Sequence, residues 1–171
     1  MPDLLVKLYD MPASAPVLER LGGHGIEIRR AITAEKATIT KWIGDHFSMG
    51  WCGECEIAFA RRPVSCLIAT HGGTLCGFAC YGVICPDFFG PLGVEAQWRG
   101  RDVGTALLLV ALDALRTQGY AYAIIGWAGP VGFYEKAVGA TVIENSEPGI
   151  YRGLLKADEI SSRFGNSLSE S

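Results

Sequence analysis

Apolar positions along the chain form two kinds of pattern, which together predict a mixed α/β fold. Short alternating or continuous apolar runs are typical of strands, and apolar residues that repeat about every 3.6 positions are typical of helices. By the first criterion, strands are predicted at residues 4–9, 26–31, 64–70, 75–83, 88–94, 120–127, 139–144 and 150–155. The sequence His-Gly-Gly-Thr at residues 71–74 is typical of a hairpin turn between two of them.

Helical spacing appears in four segments between these strands, at residues 33–47, 52–61, 103–117 and 131–138. Thr33 can cap the first helix, and Pro63 closes the second because proline disfavours helical geometry at the residue before it. The segment 103–117 is apolar almost all round, so we expect it to be buried on more than one side. Residues 11–16 contain two prolines and predict a turn region, and the glycines of residues 22–25 predict a loop.

Composition indicates one folded domain with two extensions. Of the 171 residues, 49% are hydrophobic and 19% are charged, which is the balance of ordinary globular proteins. We expect residues 1–24 to form an N-terminal appendage with an extra strand and a loop, and residues 25–156 to form the main domain. Residues 157–171 are rich in serine and show no apolar period, so we expect a flexible C-terminal tail.

The net charge argues against several classes of partner. A charge of −3, from 15 lysines and arginines against 18 acidic residues, provides no basic surface for nucleic acid. The longest apolar run, near residues 106–112, is far shorter than the roughly 20 residues of a bilayer span. The first residues also lack a basic start followed by an apolar block. We therefore expect a cytoplasmic protein with no nucleic-acid partner and no membrane partner.

The six cysteines are expected to be free thiols, because a chain of this size and apolar content needs no disulfide framework. Cys66, Cys76, Cys80 and Cys85 lie in apolar strand-like runs, where cysteine behaves as a small hydrophobic residue. A zinc site built on the C-x-x-C pair at residues 52–55 would need two more ligands, and no second C-x-x-C or H-x₃-H pair supplies them. No metal site is therefore expected.

The segment 92–108, with the sequence LGVEAQWRGRDVGTALL, carries the most specific chemical signal. A predicted strand runs into a short loop that contains Gly100 and Gly104, and a long helix starts there. The unpaired N–H groups at a helix N-terminus and the positive end of the helix dipole both favour a bound anion. Arg99 and Arg101 add positive charge, so this loop predicts a phosphate-binding site.

The loop resembles the acetyl-CoA signature Q/R-x-x-G-x-G/A of the GCN5-related N-acetyltransferases, the GNAT family, with Arg99 in its first position and Gly104 in its last. The order of predicted elements is similar to that family over about residues 25–156. The resemblance implies a GNAT-like (acyl-CoA N-acyltransferase) α/β fold, with a mixed, mostly antiparallel central sheet flanked by helices. It also implies an acyltransferase that moves an acetyl group from its cosubstrate acetyl-CoA directly to a primary amine of a small molecule or peptide.

The same resemblance implies where acetyl-CoA binds. The pantetheine arm would pair with backbone groups of the family's fourth strand, which here are those of Leu92, Gly93 and Val94. The pyrophosphate would lie on the backbone amides of the loop and the start of the helix. In this sequence these residues are Arg99, Gly100, Arg101, Asp102, Val103, Gly104 and Thr105.

Asp102 departs from the signature, since the family has a glycine in its place. Two placements stay open for the carboxylate. It either caps the helix by accepting a hydrogen bond from the amide of Gly104 or Thr105, which would compete with the pyrophosphate, or it turns outward onto Arg99 or Arg101.

Two alternative functions stay open. Trp127 stands where the family often has an asparagine, and together with Asp102 this departure favours a non-catalytic acyl-CoA-binding sensor. The sequence WCGEC at residues 51–55 resembles the thioredoxin motif W-C-G-P-C, so thiol-disulfide redox chemistry through Cys52 and Cys55 is a second alternative.

Acetyl transfer to an amine needs a base for the ammonium group and an acid for the leaving thiolate. Asp87, placed just before the central strand, is the predicted base, and Glu95 at the other end of that strand is the second choice. The resemblance implies Tyr134, in the sequence FYEK, as the acid. It also implies an acceptor pocket at residues 45–56, where the side chains suited to an amine are those of His46, Phe47, Trp51, Glu54 and Glu56. The identity of the acceptor and the formation of a homodimer are left open.

Overall fold

The structure, a computed structural model, describes residues 1–155. It contains seven strands: β1 (Leu4–Lys7), β2 (Ile26–Arg30), β3 (Cys66–His71), β4 (Thr74–Tyr81), β5 (Phe88–Val94), β6 (Tyr122–Ile125) and β7 (Thr141–Val142). Its five α-helices are α1 (Ala15–Gly23), α2 (Lys36–His46), α3 (Met49–Ala60), α4 (Val103–Thr117) and α5 (Val131–Val138). The predicted flexible tail at residues 157–171 lies outside the described part of the chain.

The strands form one sheet in the order β2-β3-β4-β5-β6-β1-β7. Neighbours in the sheet are antiparallel, except β5 and β6, which run parallel. The prediction of a mixed, mostly antiparallel sheet flanked by helices is therefore confirmed. Within residues 1–155, no helix combines the length and the apolar character that crossing a bilayer requires.

Two apolar clusters lie on opposite faces of the sheet. Side chains of β4 alternate between them, with Ala79 and Tyr81 in one cluster and Phe78 and Cys80 in the other. Helices α1, α4 and α5 cover the first face, and α2 and α3 cover the second. All six cysteines are free, as expected, and five of them are buried. The second cluster includes a contact between Cys55 and Cys66, whose Sγ atoms are 4.0 Å apart.

The N-terminal segment, expected to be an appendage with an extra strand, adds strand β1 to the sheet and helix α1 to one of its faces. Strand β1 pairs with β6 on one side and with β7 on the other, and its residues Leu4 and Val6 are fully buried. Helix α1, which the sequence pattern did not predict, buries Val17 and Leu21. Pro16 lies in the first turn of this helix, where a missing N–H group removes no hydrogen bond.

Other predicted bounds shift for local reasons. Helix α3 begins at Met49 and not at residue 52, because the Ser48 Oγ accepts a hydrogen bond from the Trp51 N–H and caps the helix. The strand predicted at residues 150–155 is wrong: Gly149–Tyr151 forms a 3₁₀ turn. The ring of Tyr151, in this turn, stacks on that of Trp127.

Candidate active site

Strands β5 and β6 separate after a short parallel contact. They pair only at Phe88 with Ile124 and at Phe89 with Ile125, whereas the pairing of β5 with β4 continues to Val94. In the described part of the chain, the β6-facing edge of β5 has no strand partner beyond Phe89. The separation therefore exposes the backbone edge of β5 that includes Leu92, predicted to pair with a pantetheine arm.

A cavity of about 930 Å³ lies against this free edge, between α1, α4 and α5. Nine of the ten predicted cofactor-binding residues line it: Leu92, Gly93, Val94, Arg99, Gly100, Asp102, Val103, Gly104 and Thr105. The tenth, Arg101, lies outside it, with its guanidinium over the ring of Trp98 at 5.5 Å. Positive side chains that line the cavity are those of Arg20, Arg99 and Lys136. The cavity therefore suits an anionic ligand.

The N-terminus of α4 presents free amides to this cavity. The first hydrogen bond of the helix runs from the Ala106 N–H to the Asp102 carbonyl at 2.9 Å, so the amides of Val103, Gly104 and Thr105 have no partner within the helix. These three residues line the cavity. Free amides of this kind, together with the positive end of the helix dipole, favour a bound anion such as a phosphate.

Asp102 adopts the left-handed conformation, with φ of 63°. Glycine accepts this conformation without steric cost, and aspartate is among the few other residues that adopt it readily. Its carboxylate makes no capping bond to the helix and instead accepts from Nη2 of Arg20 at 3.0 Å. The outward placement is therefore the observed one. Its partner is on α1 and is neither Arg99 nor Arg101, which were the expected candidates.

Arg99 connects the loop back to the strand, because its Nε donates to the Val94 carbonyl at 3.0 Å. Gly93 lies where a side chain would not fit: a Cβ there would be 2.6 Å from Cζ of Phe47. The ring of Phe47 stacks on that of Trp51 at 5.2 Å, and both residues line the cavity. The close approach of these aromatic rings to β5 explains the glycine at this position.

Tyr134 occupies the junction between this cavity and a second cavity of about 760 Å³. It is 7% exposed, and burial raises its pKa to about 12. Its phenol therefore stays protonated at neutral pH and can donate a hydrogen bond or a proton. Trp51, Leu92 and Pro130 also line both cavities and complete the junction.

Glu54, on α3, provides the only carboxylate side chain among the described residues that line the second cavity. Its pKa is raised because burial disfavours the charged form. The sequence singled out Glu54 only as part of the implied acceptor segment. No local motif marks it, since its position depends on how α3 packs against β5.

The predicted bases Asp87 and Glu95 lie elsewhere. Asp87 precedes β5, where its backbone carbonyl accepts from the Ile124 N–H at 3.0 Å, and its side chain lines neither cavity. Glu95 follows β5, and its carboxylate is 4.0 Å from Nε2 of His46. The structure therefore places Tyr134 and Glu54 on one cavity, and it places neither Asp87 nor Glu95 there.

Cys52 and Cys55 lack the geometry of a redox pair. Both thiols are buried, and Cys52 lies a full turn inside α3, away from the helix N-terminus. Burial raises the pKa of Cys52, so its thiolate is disfavoured at neutral pH. A reactive dithiol needs an exposed thiol, and here both are buried.

Comparisons with known proteins agree with this geometry. A GCN5-related glucosamine N-acetyltransferase region of a fungal multi-domain GH3 β-N-acetylglucosaminidase is similar, with a TM-score of 0.68 and 14% identity over 83% of this chain and 19% of that one. A GCN5-related N-acetyltransferase from Sphaerobacter thermophilus has a TM-score of 0.59 and 19% identity over 83% of this chain and 48% of that one. At these identities the likeness shows the fold, and the chain spans less than half the length of either solved chain.

No curated protein sequence matches the chain significantly. The model of the acetyltransferase (GNAT) family matches residues 36–140, which is more than half of the chain. This match confirms the expected family: the chain belongs to the acetyltransferase (GNAT) family.

Proposed function

We propose that the protein transfers the acetyl group of acetyl-CoA directly to a primary amine of a small molecule. The position of Tyr134, at the junction of two cavities of opposite charge, carries this proposal. The first cavity has the cationic side chains Arg20, Arg99 and Lys136 and suits the phosphates of acetyl-CoA. The second has the carboxylate of Glu54 and suits an ammonium group. The acyl donor and the amine then meet beside Tyr134.

The residues present fit acetyl-CoA, which supplies the acetyl group as an activated thioester. The free edge of β5 offers the backbone groups of Leu92, Gly93 and Val94 to a pantetheine arm. The amides at the start of α4 are free for the pyrophosphate. Because Asp102 is paired with Arg20, its charge is compensated beside this phosphate site.

Glu54 is proposed as the base. An alkylammonium group has a pKa near 10.4, so the amine must lose a proton before its nitrogen can attack the thioester carbonyl. The Glu54 carboxylate attracts the ammonium and accepts its proton, directly or through a water molecule. Its raised pKa makes it a stronger base than an ordinary carboxylate.

Tyr134 is proposed as the acid. As the nitrogen attacks, the new C–N bond forms, and collapse of the tetrahedral intermediate breaks the C–S bond. The leaving thiolate then takes a proton from the phenol of Tyr134, which is protonated at neutral pH. The products are the acetylated amine and free coenzyme A, and the proton released by the amine balances the one that the thiolate gains.

The experiment that tests this function mixes the purified protein with acetyl-CoA and a panel of primary amines. Mass spectrometry follows the acetylated amine, and a thiol reagent follows free coenzyme A. We expect the two products to appear in equal amounts, and only with protein present. Tight binding of acetyl-CoA without any amine-dependent release of coenzyme A would instead support the sensor alternative.

A further inference from the structure

The wall of the second cavity is rich in aromatic side chains. Six aromatic side chains line it, and aliphatic residues from β5, β6 and the following loops fill much of the remainder. The aromatic residues are Trp51, Phe88, Phe89, Trp127, Tyr134 and Tyr151. A volume of about 760 Å³ is that of a pocket for a small organic molecule.

The backbone of Trp127, in this wall, adopts a sterically unfavourable conformation. Its φ of 49° lies in the left-handed region, which is a genuine outlier for a bulky side chain. The buried carboxylate of Asp3 accepts the Trp127 N–H at 2.8 Å and fixes the backbone there. The indole stacks on the ring of Tyr151 with centroids 4.9 Å apart and an interplanar angle of 22°. Such strain persists where the surrounding structure enforces it, and it concentrates at ligand sites.

The charges of the cavity discriminate between classes of amine. Among the described residues that line the second cavity, Glu54 is the only one with a charged side chain, and none is a lysine, arginine or histidine. Met1 also lines the cavity, and its α-amino group is paired with the carboxylate of Glu147. An ammonium group would therefore find a partner there, and a carboxylate would find none.

We propose that the acceptor is an arylalkyl primary amine without a carboxylate group. Its ring packs on the aromatic wall that includes Trp127 and Tyr151, and its ammonium group faces Glu54. An aromatic amino acid with the same ring would bring a carboxylate into a cavity without a cation. This inference rests on the proposed function in one respect: the bound amine is the group that receives the acetyl.

Binding and turnover are measured separately, so that the two proposals can fail independently. Calorimetry on the protein saturated with coenzyme A compares 2-phenylethylamine with L-phenylalanine, and tryptamine with L-tryptophan. We expect each amine to bind at least about tenfold more tightly than its amino acid, because the latter buries an unpaired charge. Equal or tighter binding of the amino acids, or no binding of either amine, overturns the substrate class.

Turnover with acetyl-CoA is the second readout. Acetylation of 2-phenylethylamine supports both proposals. Selective binding of 2-phenylethylamine without its acetylation would overturn the proposed function and leave the assignment of the cavity standing.

Two variants test the wall itself. Trp127→Ala should weaken the binding of 2-phenylethylamine roughly tenfold. The affinity for n-hexylamine, which has no ring, should fall by less, and the affinity for acetyl-CoA should not change. Trp127→Phe should restore most of the lost binding, and the smaller loss for n-hexylamine distinguishes a contact with the aromatic ring of the ligand from a merely structural role. Tyr122→Ala is the matched control, because Tyr122 is similarly exposed, at 46% against 41%, and lines neither cavity. An equal loss in both alanine variants overturns the proposal.

A third variant tests the charge argument. Ile84 lines the cavity and is 39% exposed, so Ile84→Arg places a guanidinium at its edge. The preference for 2-phenylethylamine over L-phenylalanine should shrink by about tenfold or more, because the carboxylate then has a partner. An unchanged preference would show that charge does not set the selectivity.

Discussion

Individual residues at this site take their chemical roles from where the backbone holds them. Tyr134 is a phenol of ordinary chemistry, but burial between two cavities raises its pKa to about 12 and keeps it a proton donor. Glu54 is one of 18 acidic residues, and its partial burial in the second cavity distinguishes it from those in solvent. Each role can be tested by a substitution that changes one functional group.

Tyr134→Phe should lower kcat by about 10²–10⁴-fold, because only the proton donor is lost. The ring still packs against Phe89 and Phe133, so the dissociation constant of acetyl-CoA should not change. Steady-state kinetics and calorimetry check the two halves of this prediction. If kcat is unchanged, Tyr134 has a packing role and water protonates the thiolate.

Glu54→Gln should increase the free energy of unfolding at pH 7. Burial raises the folded pKa of Glu54 above its unfolded value of about 4.3, so the folded protein binds more protons between these two values. The stability contributed by this group is fully present below about pH 4.3 and is lost as pH rises through the folded pKa. Glutamine removes this loss, so the gain over wild type should disappear near pH 4.

Urea denaturation at pH 4 and pH 7 measures this difference. Glu56→Gln is the control on the same helix, because Glu56 is exposed and pairs with Lys36 at 3.6 Å, and its replacement should bring no such gain. The Glu54→Gln variant should also have a lower kcat/KM, because the substitution removes the proposed base. A buried charged group can thus lower stability and still be needed for catalysis. A stability gain that is equal at both pH values would contradict the account.

At the scale of elements, α1 and α4 are joined at the first cavity by the ion pair of Arg20 with Asp102. This contact compensates the negative charge that Asp102 brings to the signature loop. Both side chains are more than half exposed, so the pair is worth about 0–1 kcal/mol and is weakened by salt. Its effect on the cofactor should therefore be modest and electrostatic.

Arg20→Ala should weaken acetyl-CoA binding by about two- to tenfold at low salt, because it removes a cation from the cavity and leaves Asp102 unpaired. The loss should shrink at high salt. Arg116→Ala is the matched control, since Arg116 has a similar side-chain exposure, 56% against 59%, and pairs with Asp113 near the other end of α4. An equal loss of acetyl-CoA affinity in both variants would show that Arg20 does not contribute specifically to binding.

Asp102→Gly tests the same contact from the other side. Glycine accepts the left-handed backbone and frees Arg20, so acetyl-CoA affinity should rise by no more than about tenfold at low salt. A larger gain that survives high salt would mean that the carboxylate competes with the pyrophosphate for the α4 amides.

The sequence predicted some elements well because their signals are local. The strand, the glycine-containing loop and the helix around Gly104 are close together in the sequence, so these elements could be predicted from it. Helix α1 was not predicted, because Pro16 and the glycines that follow are usually signs of a turn. The ion pair of Arg20 with Asp102 could therefore not be predicted from the sequence. The position of Glu54 in the lining of the second cavity was not predicted either. It results from the packing of α3 beside β5, which no local residue pattern indicates.

On the scale of the whole molecule, the separation of β5 from β6 makes the site. The sheet is continuous on both sides of this point, so the free edge of β5 is a fixed feature of the fold. Both cavities open at this edge and share Trp51, Leu92, Pro130 and Tyr134. Ligands in the two cavities would therefore contact the same residues, and each should stabilise the folded protein.

Acetyl-CoA should raise the melting temperature of the protein. At a concentration of about 100 times its dissociation constant, it adds roughly 2.7 kcal/mol, which corresponds to about 5–10 °C for a chain of this size. NADH should give no comparable shift, because the loop lacks the G-x-G-x-x-G spacing of dinucleotide sites. Differential scanning fluorimetry measures both. The absence of a shift with millimolar acetyl-CoA would contradict the assignment of the cavity.

The most direct test of the central claim is the initial rate of coenzyme A release when acetyl-CoA and 2-phenylethylamine are varied together. Two cavities that meet at Tyr134 hold both substrates at once, so double-reciprocal plots should intersect, and release should depend on the amine. Parallel lines would indicate an acetylated enzyme intermediate and would contradict direct transfer. Release that does not depend on any amine would contradict the proposed acetyltransferase reaction itself.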